Sequence, residues 1–466
     1  MKRPRLQRLL LLAFLFLAGL TAILLAVGYY TYLGIHPGLL LNLWRAATIA
    51  FIGYACLRRS LTSWIVVGML VGMEIGHDWP HAAVNLQILS SIFLRLIKTI
   101  VAPLIFATLV VGIAGHSNLK QVGRMGIKAL VYFEVITTLA LFIGLAAINL
   151  SQAGVGVPRP ANTTTAVAPA RPEKASDIIL RVFPENVAKS VAEGQVLQVV
   201  VFSIIFAIAL ALIAEEKRRP MLAFCESLAA VMFKFTNIVM WFAPLGVAGA
   251  MAYTVGTMGF EVLTPLAKLL ATLYAALIVF LLFVLLPVAL IARLPLKRFI
   301  KAVAEPVSIA FSTASSEAAL PRAMESMEAF GAPRQIVAFV LPAGYSFNLD
   351  GSTLYLSLAS IFVAQAAGIH LSFTQQVVIV LTLMLTSKGV AGVPRAMLVI
   401  LMGTVASFDL PSWPVLIIFG IDQLMDMPRT ATNVLGNCLA TAVIARWEGQ
   451  LSKEAPSDTV LDAVAH

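Results

Sequence analysis

Five polar side chains recur at helical spacing in the last long apolar segment of the chain. The segment begins at residue 417, and its polar positions are Asp422, Asp426, Arg429, Asn433 and Asn437. At about 100° per residue, these positions fall within an arc of about 80° on one helical face. An ionised group at a bilayer centre costs on the order of 2.5–3.5 kcal/mol. We therefore predict that this face points at a ligand, at water or at its own charged neighbours, and that it is the working face of the protein.

The composition of the chain explains why such a face must lie in a membrane. Of the 466 residues, 60% are hydrophobic and 12% are charged, and the mean hydropathy is +0.92. A soluble protein of this size could not bury so much apolar surface, so we predict an all-α polytopic membrane protein. The net charge of +10 comes from short basic loops between apolar runs. This pattern is typical of cytoplasmic loops and argues against nucleic-acid binding.

The apolar runs and the segments between them predict the organisation of the chain. Residues 1–60 hold two runs, 9–27 and 39–56, which predict two amino-terminal transmembrane helices with a cytoplasmic amino terminus. A cleaved signal peptide is the alternative for the first run, although its apolar core would be shorter. Residues 151–185 predict an exposed flexible loop, and residues 451–466 a cytoplasmic tail. The other predicted spans are 63–76, 86–114, 128–150, 194–214, 221–255, 262–293, 334–368 and 412–446.

Two further apolar segments are interrupted in the middle. Residues 303–317 run into FSTASSEAALP, and residues 377–405 contain TSKGVAGVP. Backbone groups at such breaks cannot face lipid, so each segment predicts a re-entrant helical hairpin whose tip is buried in protein or lines a wet cavity. Each hairpin precedes a full span that carries polar groups. Two such pairs form an inverted repeat, which is the expected layout of a secondary transporter with a site near the membrane midplane.

The span after the first hairpin contains the motif LPAGYSFNLDGSTLY. Its polar residues Asn348, Asp350 and Ser352 alternate, which would scatter them around a regular helix. We therefore predict an unwound segment that turns carbonyl and carboxylate oxygens, the ligands of a small hard cation, toward one point. The alternative is a buried hydrogen-bonded pair between Asn348 and Asp350 that only locks two helices together.

Several motifs together resemble the dicarboxylate/amino acid:cation symporter family, the glutamate transporters. In chain order they are YFEVITT, MWFAPLGVAGAMAYT, ASSEAALPRAMESMEAFGAP, FVLPAGYSFNLDGSTLY, LTSKGVAGVP and IDQLMDMPRTATNVLGN. The likeness covers about residues 60 to 450 and is most similar to the bacterial proton-coupled glutamate/aspartate branch. The two helices before residue 60 have no counterpart in the resemblance.

The resemblance implies a glutamate-transporter-like fold of the elevator type, with two re-entrant hairpins and inverted repeats, assembled as a homotrimer. The symporter domain would span 61–450. Its scaffold would comprise about 61–127 and 186–260, and its mobile transport domain about 128–150 and 261–450. The chain would be multi-pass in the cell inner or plasma membrane with both termini cytoplasmic. It would need no cofactor and would bind a small acidic amino acid.

The resemblance also implies a substrate site. Arg429 would pair with the side-chain carboxylate of the substrate, as its planar guanidinium suits; a structural salt bridge to Asp426 is the alternative. Asp426 would hold the α-ammonium group of the substrate, and C4-dicarboxylate carriers generally lack an acid there. The other implied substrate contacts are Ser315, Ser316, Ser352, Val393, Thr430 and Asn433.

Three implied cation sites overlap with this region. The first comprises Thr137, Thr138, Asn348 and Asp350. The second comprises Ser346, Ser387, Lys388 and Val390. The third comprises Gly344, Asn348, Asn433 and Asn437, and here Asn437 stands where the family has a carboxylate. This departure weakens the attraction for sodium and favours fewer sodium ions or protons as coupling ions.

Two other positions depart from the family pattern. Glu134 stands where sodium-coupled members commonly have an aromatic residue, and a membrane environment favours its neutral, protonated form. Our hypothesis is that Glu134 carries the coupled proton; a neutral packing role is the alternative. Arg395 stands just past the second hairpin tip, where a small residue is usual.

These observations predict an importer of L-glutamate and L-aspartate driven by protons, with sodium as an additional coupling ion in one variant of the hypothesis. A C4-dicarboxylate or neutral amino acid symporter of the same fold is the alternative. An intramembrane aspartyl protease would need a GxGD signature, whereas the chain has NLDG and GID, so no enzyme is expected. A conductive channel is disfavoured by the hairpin tips, which predict occluded transport.

Overall fold

The computed structural model describes residues 2–31, 36–114, 119–158, 183–193, 196–387 and 396–452, and the regular elements within them are all helical. In chain order the helices are α1 (Lys2–Thr31), α2 (Pro37–Arg58), α3 (Leu61–Asp78), α4 (Pro80–Asn85), α5 (Gln87–Ala114), α6 (Leu119–Ser151), α7 (Val187–Glu193), α8 (Val196–Leu212), α9 (Glu215–Met240), α10 (Ala243–Met258), α11 (Leu263–Phe280), α12 (Leu286–Ile291), α13 (Leu296–Thr313), α14 (Ser316–Phe330), α15 (Arg334–Phe347), α16 (Asp350–Ala366), α17 (Phe373–Thr386), α18 (Ala396–Ser407) and α19 (Trp413–Trp447). A 3₁₀ turn (Phe260–Val262) precedes α11, and a π-helical segment (Leu281–Leu285) joins α11 to α12.

The predicted all-α membrane class is confirmed. Four stretches within the described residues are long and apolar enough to cross a membrane: Gly38–Arg58, Gly126–Ser151, Glu215–Met240 and Phe260–Ile291. One predicted span is wrong in extent. Residues 221–255 form two helices, α9 and α10, because Pro244 in the first turn of α10 lacks the amide that a continuous helix would need.

One compact unit comprises residues 1–94 and 239–262. Its centre is a close packing of α3 on α10 through small residues. The glycines Gly68, Gly72 and Gly76, one per helical turn, face the backbone of α10 at Pro244, Ala248 and Ala252 in the same order, so the two helices run parallel. Helix α2 also packs on α3, and α1 packs on α2.

The second compact unit comprises residues 95–238 and 263–466. Helix α16 lies at its centre, and all of its residues except Gln365 are buried. On one side Ser357 of α16 donates to the carbonyl of Leu141 in α6 at 2.8 Å. On the other side Gly351 lies against the backbone of Arg429 in α19. A helix enclosed on all sides by protein can carry polar groups that lipid would exclude.

The interruption predicted around Asn348 is confirmed. Helix α15 ends at Phe347 and α16 begins at Asp350, with Asn348 and Leu349 in non-helical conformations between them. The amide of Asn348 donates to Gly344 at 2.7 Å, which closes the end of α15. The break thus places two polar side chains, Asn348 and Asp350, at a helix junction.

The first predicted hairpin tip coincides with a chain reversal. Helix α13 ends at Ala314, which has a φ of 50°, and Ser315 caps α14 by accepting a hydrogen bond from the amide of Ala318 at 3.3 Å. Helices α13 and α14 pack on each other and on α19. Most of the second predicted tip, residues 386–394, lies outside the described residues, which resume at Ala396 after a gap at 388–395. Most of the predicted loop 151–185 also lies outside them, although Ala153 and Gly154 at its start are buried.

We predict that Gly72→Ala destabilises the first unit. A side-chain carbon at Gly72 would lie 3.0 Å from the Cα of Ala248 and from the Cβ of Met251, so the helices would have to separate. Such overpacking costs about 1–3 kcal/mol, and the thermal unfolding temperature of the detergent-solubilised protein should fall. Gly19→Ala in α1 is the control, because no atom lies within 4 Å of the added carbon. Equal unfolding temperatures for both variants would contradict this packing.

Candidate functional site

A guanidinium group and two carboxylates form a buried ionic cluster on α19. Arg429 Nε donates to Asp426 Oδ1 at 2.8 Å, and Arg429 Nη1 lies 3.2 Å from Asp422 Oδ1. Arg429 and Asp422 are fully buried, and Asp426 is 5% exposed. These three residues belong to the predicted polar face, which therefore points into protein. Two negative groups and one positive group leave the cluster with a formal charge of −1.

Tyr355 completes the surroundings of the guanidinium. The Cζ atom of Arg429 lies 4.1 Å from the centroid of the Tyr355 ring, within the range of a cation–π interaction. Tyr355 is not among the site residues predicted from the sequence. The sequence nevertheless contains a pattern that could have indicated it. Tyr355 lies one helical turn after Ser352 and is the single aromatic residue in the first two turns of α16.

Two buried polar atoms of the cluster take no part in its internal bonds. Within the described part of the chain, Arg429 Nη2 and Asp426 Oδ2 have no hydrogen-bond partner. Asp426 Oδ1, by contrast, accepts hydrogen bonds both from Arg429 and from Thr430 Oγ1, the latter at 3.1 Å. A buried donor or acceptor without a partner costs about 1–3 kcal/mol, and more when it is charged. The cluster therefore offers one cationic donor and one anionic acceptor to a guest.

One helical turn further along α19, Asn433 joins the same face to the start of α16. Its Oδ1 accepts from the amide of Gly351 at 2.8 Å and from the amide of Ser352 at 3.2 Å. Its Nδ2 donates to Ser352 Oγ at 2.9 Å. The Asn433 amide thus holds the first turn of α16 against α19, and it places the Ser352 hydroxyl on the side of the cluster.

A second polar cluster lies at the α15–α16 break. Asn348 Nδ2 lies 3.3 Å from Asp350 Oδ2 and 3.1 Å from Asn437 Oδ1, and all three residues are fully buried. Glycines make this approach feasible: a side-chain carbon at Gly344 would meet the Asn437 amide, and one at Gly436 would lie 3.1 Å from Asp350 Cγ. Asn348 and Asp350 lie side by side, as both the predicted cation site and the alternative of a buried hydrogen-bonded pair require, whereas Ser352 pairs with Asn433.

The three candidate residues of α6 lie within little more than one turn of that helix. Thr137 is buried, and its hydroxyl donates to the carbonyl of Phe133 at 2.6 Å. The Thr138 hydroxyl lies 3.3 Å from Met384 Sδ on α17. Glu134 is half-buried and lies within the membrane-length stretch Gly126–Ser151.

The remaining candidates lie at or near the hairpin tips. Ser315 caps α14, and Ser316, its first residue, is buried. Gly344 and Ser346 lie in the last turn of α15, and Ser387 is buried directly after α17. Four candidate positions lie outside the described residues: Lys388, Val390, Val393 and Arg395.

Together these groups form a buried site that can bind a charged guest. A buried carboxylate that lacks a counter-charge is strongly destabilising, so the excess negative charge at Asp422 and Asp426 favours a cationic guest. The guanidinium of Arg429 favours an anionic one. An amino acid zwitterion with a second carboxylate in its side chain satisfies both preferences. A dicarboxylate accompanied by cations also satisfies them.

Comparisons with known proteins agree with this geometry. The model of the Sodium:dicarboxylate symporter family matches residues 61–447. The chain is 43% identical over 405 residues to the proton/glutamate-aspartate symporter of Escherichia coli (strain K12), covering 84% of this chain and 92% of that protein. It is 41% identical over 403 residues to the proton/sodium-glutamate symport protein of Bacillus caldotenax, covering 84% and 95%. It is also 38% identical over 405 residues to the C4-dicarboxylate transport protein of Laribacter hongkongensis (strain HLHK9), covering 85% and 92%.

The family expected from the sequence motifs is thus confirmed, and with it the expectation that the protein is no enzyme. The match begins at residue 61, so helices α1 and α2 precede the family region. This chain belongs to the Sodium:dicarboxylate symporter family and is a multi-pass, cation-coupled membrane transporter.

Proposed function

We propose that the protein imports L-glutamate and L-aspartate by symport with protons, and that sodium is an additional coupling ion in some conditions. The observation that supports this proposal best is the pair of buried partnerless atoms on one turn of α19, Arg429 Nη2 and Asp426 Oδ2. An acidic amino acid carries one group for each of them, a side-chain carboxylate and an α-ammonium. The two relatives of highest identity described above carry glutamate in their names.

In this proposal Arg429 and Asp426 divide the recognition of substrate. Arg429 is held on one side by Asp422 and Asp426 and on its face by Tyr355, so its remaining Nη2 donor has a fixed direction. A fixed guanidinium loses little conformational freedom when it binds a carboxylate. Asp426 uses Oδ1 for Arg429 and Thr430 and presents Oδ2 to the ammonium group.

The other substrate contacts follow the same face and the hairpin tips. Thr430, Asn433 and Ser352 would contact the amino acid backbone groups, which is consistent with the bond of Thr430 to Asp426 and of Asn433 to Ser352. Ser315 and Ser316 would close the site from the first hairpin, and Val393 from the second. Each of these roles is part of the proposal.

The coupling ions would occupy the α15–α16 break and its neighbours. Asp350, Asn348, Thr137 and Thr138 would form one cation site, and Ser346, Ser387, Lys388 and Val390 a second. In the third, with Gly344, Asn348 and Asn433, the Asn437 amide already accepts a hydrogen bond from Asn348. An amide attracts a sodium ion less than a carboxylate does, which favours a proton as the driving ion.

Glu134 is the proposed proton carrier. It lies on α6 three and four residues before the two threonines of the first cation site, on a membrane-length stretch. A carboxyl group is chemically able to take up and release a proton. Binding and release of this proton would then accompany substrate movement across the membrane.

The proposed architecture is a homotrimer of elevator type. A scaffold of about 61–127 and 186–260 would hold a moving transport domain of about 128–150 and 261–450, which includes both re-entrant hairpins. The protein would lie in the cell inner or plasma membrane with both termini cytoplasmic. All substrate and cation candidates named above fall within the proposed transport domain.

A C4-dicarboxylate symporter is the second candidate. It is supported by the direct bond of Asp426 to Arg429, which would make Asp426 a structural counter-ion instead of an ammonium ligand, and by the relative from Laribacter hongkongensis. Competition separates the two candidates. Excess succinate should leave uptake of labelled L-aspartate nearly unchanged if our proposal holds, and should abolish it if the second candidate is correct.

We predict that Asp426→Asn lowers the affinity for L-aspartate about ten- to hundredfold, because a hydrogen bond to a charged group is worth about 1.5–3 kcal/mol. Binding to the purified protein should be measured alongside uptake into vesicles. Asp409→Asn is the matched control, since Asp409 is exposed and has a φ of 50° that asparagine tolerates. An unaltered affinity in Asp426→Asn would assign this carboxylate to helix packing alone.

We predict that Glu134→Gln abolishes uptake driven by a proton gradient and spares exchange of internal for external substrate. Glutamine keeps the size of the side chain but cannot release a proton. Reconstituted vesicles with imposed proton gradients provide the measurement. Glu74→Gln on α3, another half-buried acid, is the control and should retain gradient-driven uptake. Full proton-driven uptake by Glu134→Gln would show that another group carries the proton.

We predict that Asn437→Asp makes substrate binding more dependent on sodium. The new carboxylate would share the Asn348 amide with Asp350, and two buried carboxylates at this distance need a cation between them. Substrate affinity should be titrated against sodium at constant ionic strength. The control is Asn186→Asp, an exposed helix cap where both residues are suitable. No change in the sodium dependence of Asn437→Asp would contradict the assigned cation site.

A further inference from the structure

Helices α1 and α2 precede the family region and form an antiparallel pair. Gln7 Nε2 donates to the carbonyl of Leu57 at 3.0 Å, and the rings of Phe14 and Phe51 are 4.7 Å apart. The side chain of Leu10 covers Gly53. These contacts bring the beginning of α1 beside the end of α2.

The pair is held on α3 at two points of α2. In the first half of α2, Arg45 Nη2 lies 2.7 and 2.8 Å from the two carboxylate oxygens of Asp78, at the end of α3. At the second point Arg59 ends α2 with a φ of 53°, and Ser60 directly caps α3 by accepting from the amide of Ser63. The pair therefore has a defined orientation in its unit.

The end of the pair where α1 begins and α2 ends carries four arginines, Arg5, Arg8, Arg58 and Arg59, which we call the arginine end. All four are exposed, and Arg58 in addition donates to the Tyr54 hydroxyl and lies over its ring at 5.7 Å. Helical contacts therefore fix at least part of this positive charge close to the protein surface.

The arginine end has no acidic counter-charge in its own sequence neighbourhood. Residues 1–73 contain no Asp or Glu. The nearest acids along the same unit are Glu74 and Asp78 on α3, about 20 Å or more from the start of that helix at 1.5 Å per residue, and Glu261, which follows α10 and so lies toward the same far end. The four arginines are thus complementary to an external anion.

The outer face of α1 continues from these arginines as an apolar stripe. Arg5 and Arg8 share it with Leu9, Leu12 and Phe16, and the three apolar side chains are 62%, 61% and 69% exposed. Phe16 lies about 12 Å along the helix axis from Arg8, which is close to the thickness of one hydrocarbon leaflet, about 15 Å. Charge and apolar surface therefore meet at the spacing of a lipid headgroup and its acyl chain.

We propose that the arginine end binds the phosphate headgroup of an anionic phospholipid, with an acyl chain along Leu9, Leu12 and Phe16. Guanidinium groups recognise phosphate through paired hydrogen bonds, so several arginines at one helix end suit such a headgroup. The contiguous apolar stripe identifies the bilayer, and not a soluble phosphate, as the source. The interaction is independent of the transported substrate.

The test measures lipid retention by the full-length protein. The protein is purified in micelles containing equal amounts of phosphatidylglycerol and phosphatidylcholine, and native mass spectrometry measures which lipid stays bound. The parent protein should retain phosphatidylglycerol preferentially. The variant R5Q/R8Q/R58Q/R59Q should lose this retention by about tenfold or more, since each basic residue near an anionic surface contributes appreciably. The corresponding variant with four lysines should keep most of it.

The matched control is K217Q/R219Q at the start of α9, which removes exposed basic residues that already have Glu215 and Glu216 beside them. It should retain phosphatidylglycerol like the parent. The proposal is overturned if the four-glutamine variant retains phosphatidylglycerol as well as the parent does, or if the control loses it equally. It is also overturned if glycerol phosphate displaces phosphatidylglycerol as effectively as a phospholipid does. If the glutamine variant does not fold, salt titration of the parent decides: lipid retention must fall as ionic strength rises, and constant retention overturns the proposal.

Discussion

The burial of the Arg429 guanidinium is the constraint on which the rest of the second unit depends. A fully buried positive charge is tolerable only with counter-charges and hydrogen-bond acceptors in contact with it. Asp422 and Asp426 supply the counter-charges from the same helix, and the ring of Tyr355 covers one face. Because Tyr355 belongs to α16, the charge can be accommodated only where α16 and α19 pack together. The position of one guanidinium thus determines how two central helices meet.

That packing requires the backbones of α16 and α19 to approach closely. Gly351 lies against the backbone of Arg429, and Gly436 leaves room for the Asp350 carboxylate. The Asn433 side-chain oxygen then accepts from the amides of Gly351 and Ser352 in the first turn of α16, where amides have no carbonyl partner within their own helix. The break before α16 leaves Asn348 outside both helices. Its side chain lies within hydrogen-bonding distance of both Asp350 and Asn437. Small residues and side-chain amides replace the regular helical bonds that a break removes.

The two polar clusters are therefore neighbours along one face of α19, four residues apart at Asn433 and Asn437. The cluster near Arg429 offers a donor and an acceptor to an organic guest, while the cluster near Asp350 offers oxygen atoms and a carboxylate to a cation. In our proposal, this arrangement couples the two kinds of guest electrostatically, since each reduces the cost of burying the other. A packed interior with two adjacent charge-accepting sites suits symport better than it suits hydrolysis or an open pore.

Many of the helices and the polar face of α19 were predictable from the sequence alone. The lengths of the apolar runs predict the helices. The polar residues of α19 are spaced by four, three, four and four residues, which predicts one polar face, because the 3.6-residue repeat of a helix does not depend on its neighbours. The NLDG motif predicts a break for a similarly local reason. Local patterns could not show that Ser352 pairs with Asn433 or that Tyr355 covers Arg429, since these contacts depend on which helices meet. The pairing of polar groups across helices is decided by tertiary packing, because only close contact can compensate a buried charge.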